Sequence, residues 1–420
     1  MRVGNQRRTL LGEEGRVASR NPDPETGVVN LFDPGIGADP QPVYAELRSR
    51  CPVARSSFGD NPVLSRYEDV AWGLRRPELF SSEMEKLLAL GTERPMIPQQ
   101  IDPPAQTRYR RLLDPHFSRR RMEELAPAIR AQANALIDRF EGRGECEFDA
   151  EFAVPLPCGA FLSLLGLPLS DLDAFLEMKD DIIRPQRRRG VPMLPLEEAT
   201  KIRVEAGRRI YAYFESAIDE RERRPREDLV SSLVHAEIEG EKLLRNEILD
   251  ICFLLLLAGL DTVTATLGCN IAYLATHPGQ RRRILEDPGL IPAAVEELLR
   301  WETPVTGVPR VAKQDVELHQ CQIRKGQLVT FLLGAANTDD AHFRDAQSVD
   351  FARERNIHLA FGVGPHRCLG SHLARMELRV ALEEWHRRIP HYTIKPGETP
   401  RYSLGIREVM YLPLVFGARG

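Results

Sequence analysis

The sequence predicts a mainly helical fold with a minor amount of β-structure. Two observations carry this. Apolar residues recur at helical spacing through most of the chain beyond residue 25, whereas runs with strand character are few and short. One segment, 246–276, reads as a single long helix that is apolar all round from 251 to 260, the pattern of a helix buried on every side.

The elements follow in order. Residues 1–25 are polar, lack the apolar core of a secretory signal, and read as a flexible tail. Residues 26–420 read as one domain. Helical spacing marks 41–50, 107–113, 120–140, 158–165, 197–222, 246–276, 292–301 and 369–388. Strand-like runs fall at 63–64, 308–312, 316–318, 328–332 and 409–415. The Pro- and Gly-containing stretch 184–195 reads as a mobile loop.

Composition excludes several classes. Net charge is -4, and the basic runs at Arg119, Arg120 and Arg121, at 187–189 and at 281–283 are too short for a nucleic-acid arm; solvated helix faces account for them. The apolar run 251–260 stops at Asp261, short of the roughly 20 residues of a membrane span. A cytoplasmic protein is expected, and the odd count of 7 cysteines, with no Cys-x-x-Cys, argues against a disulfide framework or zinc ribbon.

The run Phe361-Gly362-Val363-Gly364-Pro365-His366-Arg367-Cys368-Leu369-Gly370 carries the clearest chemistry. Its three glycines and one proline impose a tight backbone path. Helical spacing starts at Leu369, so Cys368 lies at a helix N-terminus, where free N–H groups and the dipole favour a thiolate. On the residues alone, a buried structural cysteine, zinc held by His366, Cys368 and His372, a nucleophile and a haem ligand all remain open. The zinc spacing matches no common pattern, and no partner base is placed by the sequence.

In the long helix, Ala258-Gly259-Leu260-Asp261-Thr262 interrupts the apolar run. Gly259 weakens the helix locally, and the Thr262 hydroxyl can bond back to the Ala258 carbonyl, opening a groove. An acid beside an alcohol is a plausible proton relay; an ordinary packing glycine with a satisfied Asp–Thr pair fits the same residues. Glu297 and Arg300 share a helix face three residues apart, as many surface salt bridges do.

Taken together these motifs resemble the cytochrome P450 family. The loop matches its haem-ligand signature, Phe-x-x-Gly-x-x-x-Cys-x-Gly. The interrupted helix is similar to its oxygen-activation motif, and Glu297 and Arg300 to its structural Glu-x-x-Arg pair. The third polar partner usual for that pair falls at Ser348, a weakened triad. Gln106, where many relatives have His, and the Gly-Leu-Asp-Thr-Val run look closest to the camphor-hydroxylase branch.

The resemblance implies the P450 fold for residues 26–420, with haem b between the long helix and the cysteine loop. Cys368 would be the iron ligand, and Ala258, Phe361, Gly362 and Gly370 would lie against the haem. Gln106, Arg110, Arg310 and His366 would surround the propionates. Thr262 would stabilise the reduced oxygen held at the iron, and Asp261 would help deliver protons for O–O cleavage. The implied reaction inserts one oxygen atom from O2 into a C–H bond of a small hydrophobic, terpenoid-like substrate. By analogy the pocket would include Arg94, Met96, Ile97, Leu254, Leu257, Val305, Thr306 and Ile406, with Arg94 a polar anchor only if it points inward. No flavin or iron–sulfur motif is present. Electrons are therefore expected from a separate ferredoxin or flavodoxin with an NAD(P)H-dependent reductase, docking near Arg367 and Arg119 to Arg121. A P450-fold peroxygenase or isomerase, or a non-catalytic haem sensor, are the alternatives.

Overall fold

The computed structural model describes residues 21–417 apart from 24–25, 85–89, 93, 187–189, 192–193 and 404–405. The expected tail therefore lies mostly outside the described residues, as does the basic run 187–189.

The central helix is Arg245–Thr276, 32 residues. Glu247 in its first turn accepts the Leu244 N–H at 2.6 Å, satisfying one of the donors a helix start leaves open. By length and composition it could cross a membrane, yet 78% of its most apolar window is buried inside the protein. The helices Pro155–Leu165, Leu196–Arg223, Ile291–Glu302 and Ser371–Arg388 pack around it. Beneath Ser371–Arg388, Trp385 anchors an aromatic cluster with Phe148 at 4.8 Å and Phe152 at 5.4 Å between ring centroids, edge or tilted geometries that suit the ring quadrupoles.

A mixed six-stranded sheet flanks the helices, in the order Val28–Val29, Val53–Ser56, Pro62–Leu64, Leu328–Phe331, Val308–Ala312, Phe80–Ser81. Its register sets Arg310 opposite Val329, and Val311 opposite Ser81. A short sheet of Glu145–Glu147, Pro413–Phe416 and Tyr392–Ile394 closes the other side.

Several expectations are corrected. The helix expected over 120–140 divides into Arg119–Glu123 and Ala126–Ile137. Pro127 has no N–H and its ring would clash with the carbonyl of residue 123 in a continuous helix. The helix expected from 369 begins at Ser371, because Leu369 and Gly370 complete a turn. The C-terminal run splits into Val409–Tyr411 and Pro413–Phe416, which join different sheets. The helices Tyr67–Leu74, Leu172–Ile183 and Pro278–Glu286 were not anticipated. The stretch 184–195 does not begin as a loose loop: Arg184 is 5% exposed and ion-paired.

Candidate active site

The cysteine loop folds back on itself. The N–H of Gly362 donates to Leu359 O at 2.8 Å, that of Arg367 to Gly364 O at 3.1 Å and that of Cys368 to Phe361 O at 2.8 Å. Gly362 and Gly364 adopt φ of +66° and +79°, where side chains strain the backbone. At Gly364 a Cβ would also collide with the Leu74 carbonyl.

Two side chains of the helix Ala105–Leu113 fasten the loop from outside. Gln106 Nε2 donates to Pro365 O at 2.6 Å, and Arg110 Nη1 to Arg367 O at 2.8 Å. Both were expected on propionates; the structure shows them bound to loop carbonyls. The Phe361 ring lies 4.4 Å from the Arg375 guanidinium, which is paired to Glu296 at 2.6 Å.

Cys368 is surrounded by protein and still carries accessible surface, as a residue on the wall of a hollow does. Burial pushes the Cys368 thiol up, against the Gly370 N–H and the cations Arg110, Arg367 and Arg375. A bound metal deprotonates a coordinating thiol outright.

The remaining residues around this hollow test the fit of haem. His366 is largely enclosed, its Nε2 has no partner, and burial with the nearby Arg310 charge takes it down to about 4. Arg310 is 6% exposed, and its one side-chain hydrogen bond among the described residues goes to Pro309 O at 2.7 Å. Burial pushes it to about 10 despite the charge of Asp102. An unsatisfied ring nitrogen beside an under-partnered buried cation suits anionic carboxylates, as haem propionates are. Among the described residues no group of three or more His, Cys, Asp or Glu is placed to hold a metal ion, so the zinc alternative has no geometry behind it.

The central helix runs unbroken through this stretch, so the expected opening of its ladder is not found, and only the expected side-chain back-bond is present. Thr262 Oγ1 donates to Ala258 O at 3.1 Å. Ala258 is exposed and Leu254, Gly259 and Thr262 beside it are half-buried, whereas every other residue from 251 to 270 is buried, the behaviour of one face lining a cavity. Gly259 has a packing reason the sequence did not show: a Cβ there would run into the Phe161 ring.

Asp261 is 0% exposed and doubly paired. Its Oδ1 accepts from Lys179 Nζ at 2.9 Å and Arg184 Nη1 at 3.1 Å, and its Oδ2 from Arg184 Nη2 at 2.7 Å. Burial would raise this carboxyl, but Arg184 and Lys179 outweigh it and hold it below its ordinary value. Lys179, Arg184 and Glu408, which also meets Arg184, were missed. They lie far away in sequence, and no spacing rule connects them.

Glu297 and Arg300 are 1% and 0% exposed and joined at 2.8 and 2.9 Å, a buried pair and not a surface one. The third partner is not the Ser348 side chain. Arg353 Nε reaches both Glu297 oxygens at 3.0 and 3.2 Å, while Ser348 supplies only its backbone carbonyl to Arg300 at 2.8 Å. Turns between 337 and 353 displace the register that counting along the chain assumes.

On the substrate side, Leu254, Val305, Thr306 and Ile406 are half-buried, and Val305 bridges Ile406 in a strand-like pair. Met96, Ile97 and Leu257 are buried in the core. The conditional reading of Arg94 as a substrate anchor loses its basis. Its Nε donates to Asp250 at 2.9 and 3.1 Å, and its guanidinium lies 5.0 Å from the Tyr211 ring.

Comparison with known proteins agrees with this geometry. Residues 193–399 match the family model Cytochrome P450. The chain is 37% identical to the mycinamicin IV hydroxylase/epoxidase of Micromonospora griseorubida, over 89% of this chain and 94% of that one. It is 34% identical to the steroid C26-monooxygenase of Mycobacterium tuberculosis, over 83% and 85%. A myxobacterial cytochrome P450 crystallised with myristic acid superposes with a TM-score of 0.84 at 33% identity, over 93% of this chain and 99% of that one. With its helical fold, its enclosed cysteine and near full-length likeness to such enzymes, the chain belongs to the cytochrome P450 family and is a haem b monooxygenase.

Proposed function

We propose that this enzyme inserts one oxygen atom of O2 into a C–H bond of a small, largely apolar molecule, terpenoid-like or of related steroid or fatty-acid character. A separate ferredoxin or flavodoxin with its NAD(P)H-dependent reductase would supply two electrons, in the cytoplasm. The observation that carries the reading is Cys368, surrounded by protein yet with accessible surface, together with a buried central helix that is open only around Ala258 in its middle. The apolar character of Leu254, Ala258, Val305 and Ile406 supports the substrate class, as do the steroid and myristic acid named for the two relatives. The likeness to camphor hydroxylases rests on Gln106 and the Gly-Leu-Asp-Thr-Val run alone.

When bound, haem supplies the binding and reductive activation of O2. The chain supplies position and protons. Gln106 and Arg110 hold the loop so that Cys368 presents its sulfur, with the Gly370 N–H directed at it. Arg310 and His366 would offer donors to the propionates of the bound haem. Thr262, which donates to the Ala258 carbonyl, would pass a proton towards the reacting oxygen, and Asp261 would be its source. The intact Asp261–Thr262 pair favours this reading over a peroxygenase, an isomerase or a sensor.

The reduced carbon-monoxide difference spectrum tests the ligand. Wild type is expected to show the thiolate-type Soret shift and Cys368→Ser to lose it; retention in the variant would overturn the assignment. Spectral titration with terpenoids, steroids, fatty acids and aromatic acids tests the substrate class. A low- to high-spin shift is expected with the apolar groups, and a response to aromatic acids alone would refute it.

A further inference from the structure

Arg184, the residue after the helix Leu172–Ile183, sits in a buried ionic cluster that the proposed relay uses only in part. Its guanidinium meets two buried carboxylates from distant parts of the chain. Asp261 accepts from Nη1 at 3.1 Å and from Nη2 at 2.7 Å. Glu408, directly before the strand Val409–Tyr411, accepts from the same Nη2. Asp180 adds an acceptor 3.2 Å from Nη1, and Lys179 Nζ lies 3.0 Å from Asp180 and 2.9 Å from Asp261. The side chains of Arg184, Asp261 and Glu408 are 6%, 1% and 2% exposed, whereas that of Asp180 is 30% exposed.

An ionised carboxylate locked between two cations cannot shuttle protons where it stands. To act, Asp261 must either take up a proton or turn away from Arg184. Both moves would strip counter-charge from a buried guanidinium, a costly state in a protein interior. Glu408 changes that balance. Because both carboxylates share Nη2, Arg184 can release Asp261 and still face a buried anion.

We propose that Glu408 is a positioning residue for proton delivery, holding Arg184 in place while Asp261 exchanges that partner for the Thr262 hydroxyl or an intervening water. This rests on the reading of Asp261 as the proton source. In the step, Asp261 takes up a solvent proton, entering on the side of Asp180, the member of the cluster that reaches water, as it leaves Arg184; that O–H bond then breaks as the proton passes to the water or hydroxyl, which gives up one of its own towards the site of O2 reduction. The carboxylate left behind re-forms its pairs with Arg184 and Lys179. Glu408 stays ionised throughout, and no electron moves within the cluster.

A double-mutant cycle on the haem-loaded protein reads this without turnover. Asp261→Asn leaves Arg184 paired to Glu408, and Glu408→Gln leaves it paired to Asp261, so each alone should lower Tm modestly. Together they should lower it by about 3 °C or more beyond the sum of the two. Additive losses would overturn the proposal. Should the double variant not accumulate, Asp261→Asn with Glu408→Asp takes its place, and an additive loss there is equally fatal.

A second measurement separates a positioning role from a merely structural one. Substrate-free O2 reduction is followed in H2O and D2O with NADH, a plant-type ferredoxin and its reductase. Glu408→Gln should slow it by about threefold or more and enlarge the solvent isotope effect, with Glu408→Asp restoring both. An unchanged rate and isotope effect would remove the role in proton delivery whatever the Tm cycle shows. Asp261→Asn is run alongside. If it too has no effect, the proton-source reading fails; if it slows turnover while Glu408→Gln does not, only the role of Glu408 fails.

Discussion

Single residues decide the chemistry, and the two most informative carboxylates outside the relay make opposite predictions. Glu377, on the helix that follows the cysteine loop, is 1% exposed, and its Oε1 has no partner. Burial pushes its carboxyl well above the ordinary range. A folded-state value above the unfolded one of about 4.3 means the native state binds the proton more tightly. Its contribution is therefore fully present at pH below about 4 and is lost as pH rises through the folded value. Glu377→Gln, neutral at every pH, should raise stability by roughly 1–2 kcal/mol at pH 8 and change it little at pH 4. Urea unfolding at the two pH values checks this, and a loss at pH 8 would contradict it. Glu297, by contrast, is fully partnered, accepting from Arg300 and Arg353. Arg353→Ala should cost roughly 1–3 kcal/mol by weakening a buried ion network, whereas Ser348→Ala should stay within about 0.5 kcal/mol; the same unfolding assay ranks them. Cys368, Thr262, Glu297 and Arg300 were legible because each sits in a local motif. Arg353, Lys179, Arg184 and Glu408 were not, because an ionic partner is chosen by the folded path and leaves no spacing in the chain.

At the scale of elements, the central helix was legible to within one residue at its start, since an all-round apolar pattern of that length has no other use in a compact fold. Short helices escaped when their apolar stripe was brief, as in Tyr67–Leu74. What the elements do to one another was less legible still. The segment around Gly91 lies against Leu196–Arg223 so closely that a Cβ on Gly207 would collide with the Gly91 carbonyl oxygen. Three residues on, Arg94 spans to Asp250 of the central helix, whose Oδ1 also accepts from Tyr211 at 2.8 Å. This joins Arg94, the helix Leu196–Arg223 and the central helix at one buried carboxylate. Arg94→Ala should uncouple the three and speed ligand entry and exit about three- to tenfold, with the spectral spin shift at saturation preserved. Stopped-flow binding of a carbon-monoxide or azole probe reads the rates. Unchanged rates with a lowered Tm would make the tie structural only.

For the whole molecule, charge distribution matters more than total charge. The chain carries -4 overall, which on its own would repel an acidic electron carrier. A docking face for the proposed ferredoxin would therefore be local. Arg119, Arg120, Arg121 and Arg367 are all exposed. The short helix Arg119–Glu123 packs against Ser371–Arg388, the helix leading away from Cys368, and Arg379 ties it there through Glu123 at 2.6 Å. The charges of Arg375, Arg367 and Arg119 all act on His372, after burial the next causes that push this imidazole down. A cationic field thus surrounds the cysteine side, within reach of the thiolate. At about 0.1 M salt the screening length is roughly 10 Å, so such a patch steers a partner only at close range and weakens steeply with ionic strength. Reversing Arg119, Arg120 and Arg121 to Glu should slow reduction by a ferredoxin about tenfold or more at low salt and flatten the salt dependence. The carbon-monoxide spectrum should be unaffected, since these side chains point to solvent. Stopped-flow reduction across a salt series separates the outcomes. A uniform loss at every salt concentration would indicate damage to the fold, and an unchanged rate would place the docking face elsewhere.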